Sequence, residues 1–313
     1  MSTLICFGFG YCAEHFLQAY GQKFGRIIGT VRGPERAAIL NAYHRGRVQA
    51  LVFSGAQASA ELTDAIVGAD DVLVSVPPGE SADPVIAGLG DALATAPHLR
   101  SIVYLSTIGV YGDHGGAWVD ERTPPQTVSA RARARLAAEQ AWQNLGAGRA
   151  AAVAVLRLAG IYGPGQNALV QIARGKARRI VKPGQIFNRI HVADIAQAID
   201  AAFAHAASGI FNVADDEPSP PADPIVFAAQ LTGVAPLPEI AYADAARSMS
   251  PMASSFWQEC RRVRNDKLKR ELGVIFRYPT YREGLRALFA EMNSSAPAKA
   301  GEGDHPKGGG GGV

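Results

Sequence analysis

Short β-branched and aliphatic runs recur through the first half of the chain, each followed by a segment able to form a helix or crossover. "LICF", "GRIIGTVR", "VQALVF", "DDVLVSV", "SIVYLST" and "AAVAVLRL" read as buried strands, the last preceded by the long helical pattern "ARARARLAAEQAWQNL". Strands alternating with helices predict a parallel sheet covered on both faces, a Rossmann-type doubly wound α/β fold with a smaller C-terminal substrate lobe. Past residue 160 the rhythm loosens. "YGPGQNAL" reads as a loop, "ALVQIARGKA" as a helix, "NRIHVADIAQAIDAAFAH" as a strand end entering an amphipathic helix, "GIFNVADD" as a further strand, and the Pro-rich "DEPSPPADP" as the opening of a helix.

The first strand passes into "GFGYCA", which sets Gly8, Gly10 and Ala13 at G-x-G-x-x-A spacing before a helical segment. Gly8 permits the tight turn, Gly10 lets the backbone approach a phosphate, and the small Ala13 lets helix and strand pack. Free N–H groups of the first helical turn and the helix dipole complete an anion site. Gly8, Phe9, Gly10 and Tyr11 are therefore candidate dinucleotide contacts; a plain strand–turn–helix is the alternative reading. The organisation expected is a nucleotide-binding core over residues 1–160, a substrate lobe interleaved with late sheet elements over 161–292, and a disordered tail over 293–313, poor in large apolar side chains.

Composition narrows the classes without choosing a partner. The 313 residues, 48% hydrophobic and 19% charged, suit a soluble globular protein that can bury a core, and the net charge of +3 is small. The basic stretches "SARARAR" and "CRRVRNDKLKR" lack aromatic interleaving, so nucleic-acid binding is not expected. Cys6, Cys12 and Cys260 make no C-x-x-C pair, which fits a reducing compartment. With no signal-peptide pattern and no apolar run near the roughly eighteen residues of a membrane span, the expectation is a cytoplasmic protein without a membrane partner. No histidine and carboxylate spacing suggests a metal site.

"YLSTIGVYGD", "LRLAGIYGPG", "RIHVADIAQAI" and "GIFNVADDEP" follow the glycine turn in that order. With these motifs the chain resembles the extended short-chain dehydrogenase/reductases, the NAD(P)-dependent epimerase/dehydratase family. Its turn departs from the family's usual G-x-x-G-x-x-G and looks like that of an atypical branch. The resemblance implies a nicotinamide cofactor, with Val76 and Pro77 forming its wall after the fourth strand and Tyr162 shaping a loop at its nicotinamide end. Where an NAD enzyme carries an acidic residue for the ribose 2′-OH, "IIGTVRGPER" offers Thr30 and Arg32, which suits NADP, with NAD second. A solvated arginine on a strand end is the alternative.

Ser106 and Thr107 match the hydroxyl residues that in the family hold the substrate oxygen, although either could cap the following turn. The family's Tyr-x-x-x-Lys pair is missing. Counting back from Glu139 puts Arg135 at the lysine and Arg131 at the tyrosine, and a guanidinium cannot donate a proton as a phenol does. Arg135 could reach the cofactor and Arg131 an anionic substrate, or both could belong to a surface charge ladder with Glu139. Tyr111 is the nearest replacement acid in sequence, ahead of Asp113 and His114. His191 and Asp194 read as structural. Arg262, with Asn265 and Leu268, matches a late family pattern, and Arg261 or Arg262 could face an anionic ligand.

Two functions follow from the resemblance: an NAD(P)-binding oxidoreductase or epimerase-like enzyme acting on a carbonyl or hydroxyl of a small metabolite, or a non-catalytic NADP-binding sensor or assembly protein. A homodimer is the family expectation.

Overall fold

The apolar runs become strands because neighbours bury both of their faces. The structure is a computed structural model that describes residues 2–55 and 58–294. Its strands are β1 (Ser2–Phe7), β2 (Phe24–Val31), β3 (Gln49–Val52), β4 (Asp71–Val74), β5 (Ser101–Thr107), β6 (Trp118–Val119), β7 (Ala152–Leu158), β8 (Gly160–Tyr162), β9 (Arg179–Val181), β10 (Arg189–His191), β11 (Gly209–Val213), β12 (Glu239–Ala241) and β13 (Arg262–Val263). The helices are α1 (Tyr11–Tyr20), α2 (Pro34–His44), α3 (Ala60–Val67), α4 (Pro84–Thr95), α5 (Ala130–Arg149), α6 (Ala168–Ala173), α7 (Val192–Ala204), α8 (Asp223–Thr232), α9 (Tyr242–Ala246), α10 (Pro251–Ser255), α11 (Asp266–Leu272) and α12 (Tyr281–Ser294).

One sheet of parallel strands runs in the order β11-β7-β5-β4-β1-β2-β3. The chain winds outward from β1 in both directions, so a crevice opens at the C-terminal ends of β1 and β4. Alternate side chains serve opposite faces. Leu4, Cys6, Val103, Leu105, Ala154 and Leu156 join Phe16 of α1, Ile199 of α7 and Leu268 of α11. Ile5, Phe7, Ile102, Tyr104, Val153 and Val155 meet Ile66 of α3, Leu89 of α4 and Trp142 of α5. A third cluster, with Tyr162, Leu169, Ile225, Tyr281 and Leu285, forms the core of the later lobe. Of the expected tail, residues 293 and 294 close α12, and 295–313 lie outside the described residues.

The long helix α5 is locked onto the sheet by polar as well as apolar contacts. Ser129 caps it by accepting from the Ala132 N–H at 3.1 Å. Its buried stripe includes Ala138, Glu139, Trp142 and Gly146, one face at helical spacing. Trp142 is fully buried, and its Nε1 donates to Asp83 Oδ2 at 3.2 Å. Glu139 lies sealed in the same face. Its carboxylate accepts from Arg157 Nη2 at 2.7 Å and Nε at 3.2 Å and from Ser106 Oγ, so one carboxylate ties α5 to both β5 and β7. Both charged side chains are 2% exposed.

Removing one partner of such a pair strands a buried charge. Arg157→Met should lower the unfolding free energy by about 3–5 kcal/mol, whereas the double change Glu139→Leu with Arg157→Met should recover more than half of that loss. Urea denaturation of the three proteins tests this; equal stability of the single variant and the parent would show that the pair is not what holds α5 in place.

Candidate functional site

The turn between β1 and α1 is braced from below and open above. Gly8 has φ +85°, and a Cβ there would lie 2.9 Å from Ser75 Oγ and Val76 Cγ2. Its N–H donates to Thr30 Oγ1 at 3.0 Å, and the Phe9 N–H donates to the Thr30 carbonyl at 2.8 Å. A Cβ on Gly10, by contrast, would meet nothing within 4 Å. Free space above Gly10 at the start of α1 has the shape that a phosphate at a helix N-terminus requires. The cofactor's pyrophosphate therefore fits the residues present.

The other expected cofactor contacts divide by the direction of their side chains. Thr30 is buried beneath the turn as its hydrogen-bond partner, and the Phe9 ring packs so tightly on Gly29 that a Cβ there would be 2.5 Å from it. Tyr11 donates its hydroxyl to the Pro164 carbonyl at 3.0 Å, and a Cβ on Gly163 would lie 2.7 Å from that oxygen. Arg32 is exposed at the end of β2, and Arg36 is exposed in the first turn of α2. Val76 touches Gly8, and its neighbour Pro77 lines the adjoining cavity.

That cavity, of about 540 Å³, lies at the C-terminal ends of β5 and β7, between the start of α5 and the segment around α10. Thr107 lines it. Its Oγ1 accepts from the Gly109 N–H at 3.1 Å, which leaves its own proton free to donate. Arg131 and Arg135 both line it, four residues apart on one face of α5. Arg135 Nη1 donates to the Tyr104 hydroxyl at 2.9 Å and the Leu105 carbonyl at 3.1 Å, and the Arg131 guanidinium lies 5.1 Å from the Phe256 ring centre.

Four expected site residues point elsewhere. Ser106, one position before Thr107, faces the opposite side of the strand and donates to Glu139. Tyr111 is fully buried; its hydroxyl donates to Asn212 Oδ1 at 2.8 Å, the Arg157 guanidinium lies 4.7 Å from its ring centre, and burial raises its pKa. It is outside the cavity lining, so the assignment of Tyr111 as acid is corrected: a phenol committed to Asn212 has no open path to a substrate. Tyr162 packs in the later lobe's core, against Gly284 and 5.0 Å from the His191 ring, and lines a second cavity of about 340 Å³. Arg262 turns to the Gly116 carbonyl, and it is Arg261 that lines the first cavity.

Sequence reasoning passed over Glu259, Phe187, Asn188 and Phe256, which complete the cavity wall. Asn188 donates from Nδ2 to the Arg261 carbonyl at 3.0 Å and accepts from the Val263 N–H at 2.9 Å, which fixes the register of residues 261 to 263 beside the cavity. No local pattern announces such a long-range clamp. His191 caps α7 by accepting from the Ala193 N–H at 3.1 Å, and burial pushes its pKa down to about 4. Asp194 accepts from the backbone N–H groups of Arg277 at 2.6 Å and Tyr278 at 3.1 Å, so it ties the chain before α12 to α7 rather than serving its own helix. Among the described residues no group of His, Cys, Asp and Glu side chains could hold a metal ion, and no helix is long and apolar enough to cross a membrane.

Comparison with known proteins agrees with this geometry. A sequence profile of the NAD dependent epimerase/dehydratase family matches residues 88–214. A solved structure of a functionally unknown conserved protein from Silicibacter pomeroyi DSS is 44% identical, with a TM-score of 0.82 over 93% of this chain and 99% of that one. The UDP-glucuronic acid 4-epimerase of Bacillus cereus, solved in complex with NAD, is 16% identical with a TM-score of 0.71 over 93% of this chain and 99% of that one, a likeness of fold. A curated 3-diazoavenalumate denitrifying reductase from a Streptomyces species is 28% identical over 174 residues, 54% of this chain and 55% of that protein. The chain thus spans about half the length of the curated relative it matches.

Asp215, at the end of β11, supplies a pH test of the lobe beside the site. It is buried, its Oδ2 has no partner, and burial pushes its pKa from 3.8 up to about 8. The folded state holds this proton more tightly than the unfolded chain, so the group's contribution to stability is full below about 4 and is lost as pH rises through about 8. Asp215→Asn should flatten that part of the pH profile, by at most about 1.4 kcal/mol per pH unit. Denaturant midpoints between pH 4.5 and 8.5 check it; parallel profiles for variant and parent would mean that Asp215 ionises normally.

Proposed function

From the match of residues 88–214 to the NAD dependent epimerase/dehydratase family we propose that the chain is a member of it, an NADP-dependent oxidoreductase acting on a carbonyl or hydroxyl of a small anionic metabolite. The observation that carries this reading is the continuity between turn and cavity: Gly8 packs on Val76, and the next residue, Pro77, is already cavity wall. The nicotinamide, when bound, supplies or accepts the hydride. The first turn of α1, opening at Tyr11 beside the uncrowded Gly10, would hold the pyrophosphate, since the N–H groups of Gly8 and Phe9 are spent on Thr30, and Arg32 with its neighbour Arg36 would answer a 2′-phosphate beside the start of α2.

Arg135 takes the place of the family's lysine. Anchored on Tyr104 and Leu105, it is a fixed positive charge at the cavity floor. Thr107 orients the substrate oxygen with the proton it has free, and proton exchange falls to that hydroxyl or to water in the cavity. A reductase among the relatives supports a redox reaction. Free cysteines support action in the cytoplasm. One observation favours a second reading, a non-catalytic NADP-binding sensor: no tyrosine is among the residues lining the first cavity.

Calorimetric titration with NADPH and NADH tests the first step. NADPH should bind more tightly, and Arg32→Ala should weaken NADPH by roughly tenfold while leaving NADH unchanged. Because a Cβ at residue 10 meets nothing in the protein, Gly10→Val should keep its melting temperature and lose both nucleotides. Nucleotide binding unaffected by Gly10→Val would remove the turn from the cofactor site. Binding without NADPH oxidation across a carbonyl panel would favour the sensor.

A further inference from the structure

Among the described residues three guanidinium groups line the first cavity, and Glu259 is the one carboxylate in its lining. Arg131 is exposed and Arg135 half-buried, but Arg261 is only 9% exposed, so solvated surface charge does not account for it. Its Nη1 donates to the Gly112 carbonyl and, at 2.7 Å, to Glu259 Oε2, while its buried Nε has no partner. Arg135 similarly spends Nη1 on Tyr104 and Leu105, and its Nε and Nη2 make no hydrogen bond among the described residues. A guanidinium offers five N–H donors in a planar fork. Arg135 thus keeps the Nε–Nη2 edge of its fork to spare, whereas Arg261, its Nε sealed from solvent, keeps only Nη2.

The rest of the wall is largely apolar, with Ile108, Leu158, Ile186, Phe187 and Phe256. Asn188, whose amide has the chemistry to serve a sugar hydroxyl, has both ends of that amide committed to the 261–263 backbone. Fixed cationic donors set in apolar walls select an anion with an apolar body. Carboxylate and phosphate both match the planar fork with two parallel hydrogen bonds, and a carboxylate sets fewer polar atoms against the apolar walls.

Taking the cavity as the substrate site, as in the proposed function, we propose that the substrate is a small carboxylate with a flat, apolar body. Arg135 receives the carboxylate on its Nε–Nη2 edge, Arg131 and Arg261 add the field that favours it, and Phe187 and Phe256 face the body. A nucleoside diphosphate sugar is the competing anion, and the test includes one for that reason.

The test is calorimetric titration of the full chain, with and without NADP⁺, using benzoate, phenylacetate and cinnamate, their uncharged amides, and UDP-glucose. At least one carboxylate should bind at least tenfold more tightly than its amide. Arg135→Lys keeps the charge and loses the fork, and should weaken that carboxylate by about tenfold or more. Should Arg135→Lys not fold, Arg131→Gln in the cavity lining carries the test and should weaken binding severalfold with an unchanged melting temperature. Equal binding of carboxylate and amide, no binding of any carboxylate, binding of UDP-glucose alone, or indifference to the folded arginine variant would each overturn the proposal. NADPH titrated into the same sample keeps the two readings apart: its failure to bind would remove the cofactor reading, whereas NADPH binding without carboxylate binding would remove only the substrate class.

Discussion

The buried ion pair of Glu139 and Arg157 is the constraint on which the cavity depends. Two charges taken out of water are tolerable only when each satisfies the other closely, and here one carboxylate accepts from Arg157 and from Ser106. The geometry allows little rotation of α5 about its axis. With Glu139 locked inward, residues four and eight positions earlier are presented at the helix's opening end, and these are Arg135 and Arg131. A contact that makes no approach to substrate therefore decides which side chains do.

The sheet was legible because its strands are buried on both faces and so appear as unbroken apolar runs, and β11, far along the chain, carries the same signature in "GIFNVADD". The glycine turn was legible for a related reason: close approach leaves no alternative to glycine at residue 8. The helical count from Glu139 also carried over, since a helix keeps its period across two turns. What could not be read was the side of a strand. Ser106 and Thr107 are adjacent hydroxyl residues in one motif, and so are the arginines 261 and 262, yet the pleat sends one of each pair to the cavity and the other away. Choosing between them requires the register, and that is set by distant partners such as Asn188. Tyr111 misled for the opposite reason. Nearness in sequence to Thr107 placed it at the site, whereas the short helical turn after β5 folds its ring beneath, onto Arg157.

Beside the family that it resembles, the chain keeps the scaffold and, on the count along α5 that we propose, carries arginines at the two positions of the catalytic pair. A phenol that can exchange a proton and an ammonium that can tune it are replaced by two groups that remain cationic at any working pH. The cavity gains fixed charge and loses a titratable acid. Such a site is better suited to holding an anion in one orientation than to shuttling a proton, and the anchoring of Arg135 by Tyr104 and Leu105 limits the entropy lost when a ligand arrives.

The contact between Tyr11 and the loop at residues 163 and 164 joins the first helix of the nucleotide turn to a segment more than 150 positions later. There is no spare room in that joint, because a methyl group at residue 163 would already press on the Tyr11 oxygen. A larger residue at 163 is admissible only if residue 11 shrinks, and a smaller residue 11 leaves the Pro164 carbonyl without its donor. Val192 presses on the same point from the other side, 2.7 Å from that methyl, so sterics bind three positions into one unit of inheritance: through divergence glycine at 163 should track tyrosine at 11 and a branched residue at 192.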